Sequence, residues 1–364
     1  MTDESHQKMI SNLGDEEKLI SSSLPSEMNP DFLVIRIVAR IVFSVIRQCW
    51  AVCGALLIMF CFLFWNYGGF AALLLLFFSA LVVVYHAGDK MLYYPETPSN
   101  SHIFVPAPNT VGLPFENITI KSLDSTKLHA FLILQPQPQQ CCTILFFHGN
   151  AGNIGHRLSN AKGMYRHLKA NILLLEYRGY GLSEGVPSES GFYKDAQAAF
   201  NYLCSRQDIN KDRIIKLHFD FSGGAVAINL ASKPCNSSIY CLLVENSFTS
   251  IPDMAKQIIP WKGMKYIPLW FHKNKFLNKK SVARIQCPVV FVSGLSDQLV
   301  PPSMMLDLYT HCASPRKLLF QVANGDHNGT WTKPQYYPQL VRHIEDVCNN
   351  RSPLQDMHLS VHTI

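Results

Sequence analysis

The feature that most limits what this chain can become is a run of 41 residues, Gln48 to Gly88, without a single Asp, Glu, Lys or Arg. As one continuous helix it would be about 60 Å long, about twice the hydrocarbon thickness of a bilayer. Apolar runs of this length are membrane-embedded rather than buried in a soluble core. Asn66-Tyr67-Gly68-Gly69, near the middle, has turn chemistry. Two arrangements therefore compete: a single tilted span with an apolar flank in the interface, or a tight hairpin with arms Cys49 to Trp65 and Phe70 to His86. Ahead of the run, Arg36, Arg40 and Arg47 share one face of an apolar segment. That pattern fits an interfacial helix turning its arginines to lipid headgroups. Only Lys90 closely follows, so the arginine asymmetry keeps the N-terminus in the cytosol. A single span is the expected arrangement. It makes the chain a type II, signal-anchored protein with its large domain lumenal or extracellular, whereas a hairpin would return that domain to the cytosol. Cys49, Cys53 and Cys61 are expected in a core, with acylation the other reading.

The remainder divides by composition. Residues 1–30 are polar and aperiodic and read as a disordered tail, as do residues 351–364; 31–88 form the membrane anchor and 89–350 a folded domain. A net charge of +6, spread without a basic block, gives no nucleic-acid signature and suits a membrane surface instead. The 11 cysteines include no C-x-x-C pair. No metal site and no cofactor are expected from such spacing.

After a Pro/Ser/Asn-rich linker reaching Pro114, Asn117 to Ser122 and Lys127 to Leu134 alternate like an antiparallel pair closed by Asp124-Ser125. Near-continuous apolar runs follow: Cys142 to Phe147, Asn171 to Glu176, Ile214 to Phe219, Ile239 to Val244, Val289 to Val292 and Lys317 to Val322. Such runs are typical of strands buried on both faces. Helical stretches lie between them, and the alternation predicts a doubly wound α/β sheet.

Open α/β sheets place ligands where their strands end, and three segments fall there. His148-Gly149-Asn150-Ala151-Gly152-Asn153 is a small-residue turn whose N–H groups could face a developing oxyanion. Asp297, just past Val289 to Val292, could orient an imidazole. His327, past the last strand, is placed as a general base. Read singly, each has an ordinary structural explanation. Together, at three strand ends and in this order, they predict an acid–base pair. His148, His156 and His218 are read as structural. A fourth segment, Phe219-Asp220-Phe221-Ser222-Gly223-Gly224, turns from strand to small-residue helix and carries a serine.

His148-Gly149-Asn150-Ala151-Gly152-Asn153-Ile154-Gly155-His156-Arg157, Tyr177-Arg178-Gly179-Tyr180-Gly181-x-Ser183-Glu184-Gly185, Val244-Glu245-Asn246-x-Phe248 and Ser293-Gly294-Leu295-Ser296-Asp297-Gln298-Leu299 together resemble the α/β-hydrolase domain-containing family, in particular its membrane members. The resemblance covers roughly residues 85 to 345. It implies an α/β-hydrolase fold and hydrolysis of an ester or thioester of a lipid-like substrate, palmitoylated protein included. The catalytic set would be Ser222, Asp297 and His327, with Asn150 and Gly223 at the oxyanion. The elbow departs from the family's Gly-x-Ser-x-Gly: alignment on Gly-Gly-Ala-Val-Ala-Ile puts Phe221 in the nucleophile slot and Ser222 one residue late. One helical residue is about 100° of rotation, enough to re-aim a hydroxyl. A slipped turn would restore Ser222. Asp220 as a carboxylate nucleophile is a third, disfavoured option. The rival to an active hydrolase is a degenerate one that binds acyl chains or a protein partner.

Residues 250–284 are too long for a tight connection and mix aromatics with lysines. They read either as a cap over an acyl pocket that also touches membrane, or as a packed insertion with a solvated basic face. Sequons at Asn117, Asn236, Asn328 and Asn350 are compatible with a lumenal glycoprotein.

Overall fold

The computed structural model describes residues 50–218, 221–236, 239–259 and 262–349. The N-terminal tail, the segment bearing Arg36, Arg40 and Arg47, and the C-terminal tail lie outside them. The chain falls into two compact units divided after Val83.

In the first unit the uncharged run is broken once. Helix α1 is Trp50–Tyr67, helix α2 is Gly69–Leu92, and Gly68 between them has φ of 78°. That left-handed backbone is open to glycine at no steric cost. α1 is long and apolar enough to cross a membrane, and α2 carries no charge from Gly69 to Gly88. Trp50, Trp65, Phe70 and Leu73 are all well over half exposed. A helix apolar on every side is suited to lipid and not to water. Cys61 does not lie in a core; it is exposed, because α1 buries nothing against protein. Cys49 and the side chain of Cys53 are outside the described set.

The second unit is an eight-stranded sheet in the order β1-β2-β4-β3-β5-β6-β7-β8. β1, Glu116–Lys121, and β2, Lys127–Ile133, form the expected antiparallel hairpin. Its turn closes through Ser122 N–H to the Thr126 carbonyl, with Ser125 at φ 70°. β2 runs antiparallel to β4, Asn171–Leu175. From there to the far edge the strands are parallel: β3 Thr143–Phe147, β5 Ile214–His218, β6 Cys241–Glu245, β7 Val289–Gly294 and β8 Lys317–Val322.

Alternation along β3 shows how the sheet divides the core. Ile144 and Phe146 point to one face, with Leu158 and Leu340; Leu145 and Phe147 point to the other, with Phe192 and Val226. The first face is covered by α3, Leu158–His167, and α9, Tyr336–Asn349. The second is covered by α4 Glu189–Ser205, α5 Phe221–Ala231, α7 Asn278–Val282 and α8 Pro302–His311. With both faces covered, every residue of β3, β4, β6 and β7 is buried. This is the reason those strands read as unbroken apolar runs.

The Pro/Ser/Asn-rich stretch read as a linker within residues 89–350 does not run free but is hydrogen-bonded to the loop after β3. Asn153 donates through Nδ2 to the carbonyls of Ser101 at 2.8 Å and Phe104 at 3.0 Å, and Ser101 is buried. Composition alone could not show this, since the partners lie some fifty residues away.

Candidate active site

β3 lies between its successors β4 and β5, so the loops leaving β3 and β5 diverge to opposite faces and open a crevice at their C-terminal ends. Parallel sheets bind ligands at such switch points. All the strand-end residues singled out from the sequence belong to this edge.

The acid and base are assembled. Asp297 follows β7 and His327 follows β8, and His327 Nδ1 lies 2.7 Å from Asp297 Oδ2. The other carboxylate oxygen accepts the backbone N–H groups of Leu299 and Val300, both at 2.9 Å. The Asp297 side chain is 1% exposed and that of His327 10%. A carboxylate at Nδ1 favours the tautomer that carries its proton there, the form in which a histidine serves as a base through Nε2.

Asn246, a residue given no role from the sequence, holds this pair in place. It ends β6 in a left-handed conformation, φ 45°, and is buried. Its Oδ1 accepts the Gly294 N–H at 2.8 Å, at the end of β7. Its Nδ2 donates to the carbonyls of Asp326 and His327 and to Thr330 Oγ1, at 3.0 to 3.2 Å. The available signal was a lone amide directly after a buried strand. The approach is so close that a Cβ on Gly294 would lie 2.4 Å from Thr330 Oγ1 and 2.6 Å from the Gly325 carbonyl.

On the nucleophile side, the helical residues described run from Phe221, so the backbone of Ser222 and Gly223 belongs to α5. Phe219 and Asp220 lie outside the described residues, as do the side chains of Phe221, Ser222 and His218. Gly223 is buried at the helix N-terminus, where backbone N–H groups carry partial positive charge.

The loop after β3 is tied down from two sides. Asn150 Nδ2 donates to the Leu92 carbonyl at 3.0 Å, so its side chain serves the segment leaving α2 rather than an oxyanion. Tyr94 N–H donates to the Asn150 carbonyl at 2.8 Å, Gly152 N–H donates back to the Tyr94 carbonyl at 3.3 Å, and Tyr180 Oη also donates to the Asn150 carbonyl. The Asn150 N–H donates to no acceptor among the described residues. It is thus the backbone donor of Asn150, not its amide, that is available to an oxyanion. Gly152 has φ of 76°, and a Cβ there would lie 2.6 Å from His156 Nδ1, the atom that accepts the Asn153 N–H. Below the loop, His148 Nε2 is 3.0 Å from Glu176 Oε1, both fully buried, and Glu176 Oε2 accepts the Ile154 N–H. His148 and His156 thus both make contacts within the fold, with Glu176 and with the Asn153 N–H.

The glycosylation candidates separate by burial. Asn117 and Asn328 are exposed. Asn236 is a correction: it is 2% exposed, with its amide bonded to the Leu230 carbonyl and to Gln197, and this leaves no room for a glycan in the folded domain. Asn350 lies outside the described residues. A cavity lined by Lys233, Arg284, Arg316 and Cys348 sits at the N-terminal ends of β6 to β8, the edge opposite the acid and base. Among the described residues no cluster fit to hold a metal ion is found.

No family model matches the chain. It is 36% identical over 280 residues to the α/β-hydrolase domain-containing protein WAV2 of Arabidopsis thaliana, a match spanning 74% of this chain and 88% of that one. It is 32% identical over 276 residues to the uncharacterized membrane protein YNL320W of Saccharomyces cerevisiae, spanning 74% and 92%. Among solved structures, the Pyrococcus furiosus esterase Pf2001 superimposes with a TM-score of 0.53 at 18% identity, over 67% of this chain and 94% of that one. At that identity the likeness speaks for the fold.

Proposed function

We infer that this chain, which belongs to the α/β-hydrolase domain-containing family, is a membrane-anchored hydrolase acting on an ester or thioester of a lipid-like acyl substrate. The observation that carries the reading is the buried Asp297–His327 pair, at 2.7 Å, on the sheet edge shared with the β3 loop and the start of α5. In the proposed reaction Ser222 Oγ attacks the acyl carbonyl while His327 Nε2 takes its proton. Asp297 keeps the imidazole in the required tautomer, and the N–H groups of Asn150 and Gly223 receive the oxyanion. Collapse expels the alcohol or thiol, protonated by His327, and leaves an acyl-serine that water then hydrolyses. The apolar helix α1 and the likeness to a yeast membrane protein support the anchor. The type II orientation rests on the arginines before the run.

A second reading is favoured by one observation: the backbone of Ser222 is already helical, part of α5, whereas a nucleophile elbow holds its serine on the turn into the helix. On that reading the fold binds an acyl chain or a protein without cleaving anything. A fluorophosphonate probe separates the two. Labelling of the folded wild type that disappears in Ser222→Ala establishes the hydrolase; folded protein with no Ser222-dependent labelling leaves the binding module.

A further inference from the structure

We propose that the insertion between β6 and β7 carries a lipid-docking face, centred on Tyr266, Leu269 and Trp270, that lies on the headgroups of an anionic membrane. The inference rests on the membrane-anchored reading but not on the type II orientation: anionic lipid is concentrated in the cytoplasmic leaflet, so a face that prefers it speaks for the hairpin arrangement, which returns the domain to the cytosol.

Three observations converge on it. The first is charge. After Asp253 the insertion has no acidic residue up to Arg284, while seven lysines fall between positions 256 and 280. Lys256, Lys273 and Lys279 are matched by Asp253, Asp89 and Asp307. No carboxylate pairs with Lys265, Lys275 or Lys280 among the described residues. Lys265 instead sits 4.9 Å from the centre of the Tyr266 ring.

The second is exposure of the residues that water least favours. Tyr266 is 77% exposed, Trp270 76% and Leu269 47%. Lysines interleaved with Trp and Tyr are what the boundary between hydrocarbon and headgroups selects, because aromatic rings sit at that level and lysine stems reach past it to phosphate.

The third is position. Trp270 belongs to a short 3-10 turn, Leu269–Phe271, and Phe271 packs edge-on against Tyr85 of α2 with ring centroids 6.5 Å apart. The chain that follows is pinned to the same helix. Lys273 forms an ion pair with Asp89, Asn274 Nδ2 donates to Asp89 Oδ1 at 2.7 Å, and Tyr93 Oη donates to Asn274 Oδ1 at 2.8 Å. Tyr85 and Asp89 flank the point where the uncharged run closes, at Gly88. The turn bearing Trp270 is therefore tied to the residues with which that run ends. A cap that merely showed a solvated basic face would explain the lysines, but neither the exposed rings nor this placement.

The test uses the full chain in nanodiscs of phosphatidylcholine alone or mixed with phosphatidylserine, with hydrogen exchange read on peptides covering 262–275. The expected result is slower exchange with phosphatidylserine, by about fivefold or more given the usual attraction per lysine. High salt should reverse the protection, and so should the pair Lys265→Glu and Trp270→Ser, with peptides of β6 and β7 unchanged. Equal exchange in both lipids, or protection that the paired substitution leaves intact, overturns the proposal. Carbonate extraction reads the anchor separately. A chain that stays in the membrane but gains no protection sinks the docking face alone, and one that washes out and gains none sinks both. Protection gained only with added cytosol assigns the face to a protein and overturns the lipid assignment.

Discussion

Asn246 is the residue on which the geometry of the acid–base pair depends most. Its side chain satisfies the Gly294 N–H and bridges to the loop bearing His327, so Asn246→Ala leaves a buried donor and buried carbonyls unmatched. The expected cost is about 2–3 kcal/mol, read by urea denaturation. Asn246→Asp keeps the acceptor for Gly294 but sets a carboxylate against two carbonyls. It should slow Ser222-dependent probe labelling more than thermal stability alone would explain. The elbow supports an equally sharp expectation. If the nucleophile slot is Phe221, Phe221→Ser should gain probe labelling of its own; if Ser222 is in register, the change adds none. The Asp297–His327 pairing was legible because each residue lies in a polar loop after an apolar strand. Asn246 was not, since an amide after a strand is as often a turn residue, and its four partners come from the end of β7 and the segment after β8.

At the level of elements, Arg178 joins the β1–β2 hairpin to α4. Its guanidinium reaches Asp195 on α4 and Asp124 and Ser122 at the hairpin turn, and Asp195 is fully buried. Removing one member of such a pair strands the other, so Asp195→Ala should cost about 3–5 kcal/mol, seen as a lower melting temperature. The contact also titrates. Hydrogen bonding to Arg178, with help from Lys194, holds the Asp124 carboxyl well below the usual carboxylate range. A depressed folded-state value makes this contribution complete above the unfolded value, about pH 4, and lost as the pH falls through the folded one. Asp124→Asn should therefore flatten the acid limb of the stability profile below about pH 4 while changing it less in slope above. The strands were legible to within a residue or two, because a sheet covered on both faces imposes a pattern that loops interrupt. The stretch before β1 was misread as a linker, since what fixes it is Asn153, and pairings at that separation leave no periodic trace.

For the molecule as a whole, the orientation in the membrane decides the chemistry available to the site. With the domain lumenal, glycosidase treatment should shift its mobility. Asn117→Gln and Asn328→Gln together should remove most of that shift, whereas Asn236→Gln should leave it unchanged, its amide being buried against Leu230 and Gln197. A cytosolic domain would show no shift at all. Asn328 directly follows His327, so a glycan there would stand at the mouth of the site and narrow the range of acyl substrates that can enter.

The short parallel bridge between Tyr94 and Ala151, with its flanking bonds to Asn150 and Gly152, has a consequence for how such a protein could be released. The segment that props up the candidate oxyanion loop is the one that leaves α2, and its partners in the loop all lie C-terminal to that helix. A cut on the helix side of Leu92 would therefore keep every one of these bonds inside the freed piece. Detachment and loop support are separable by construction, and a released domain should keep its loop laced.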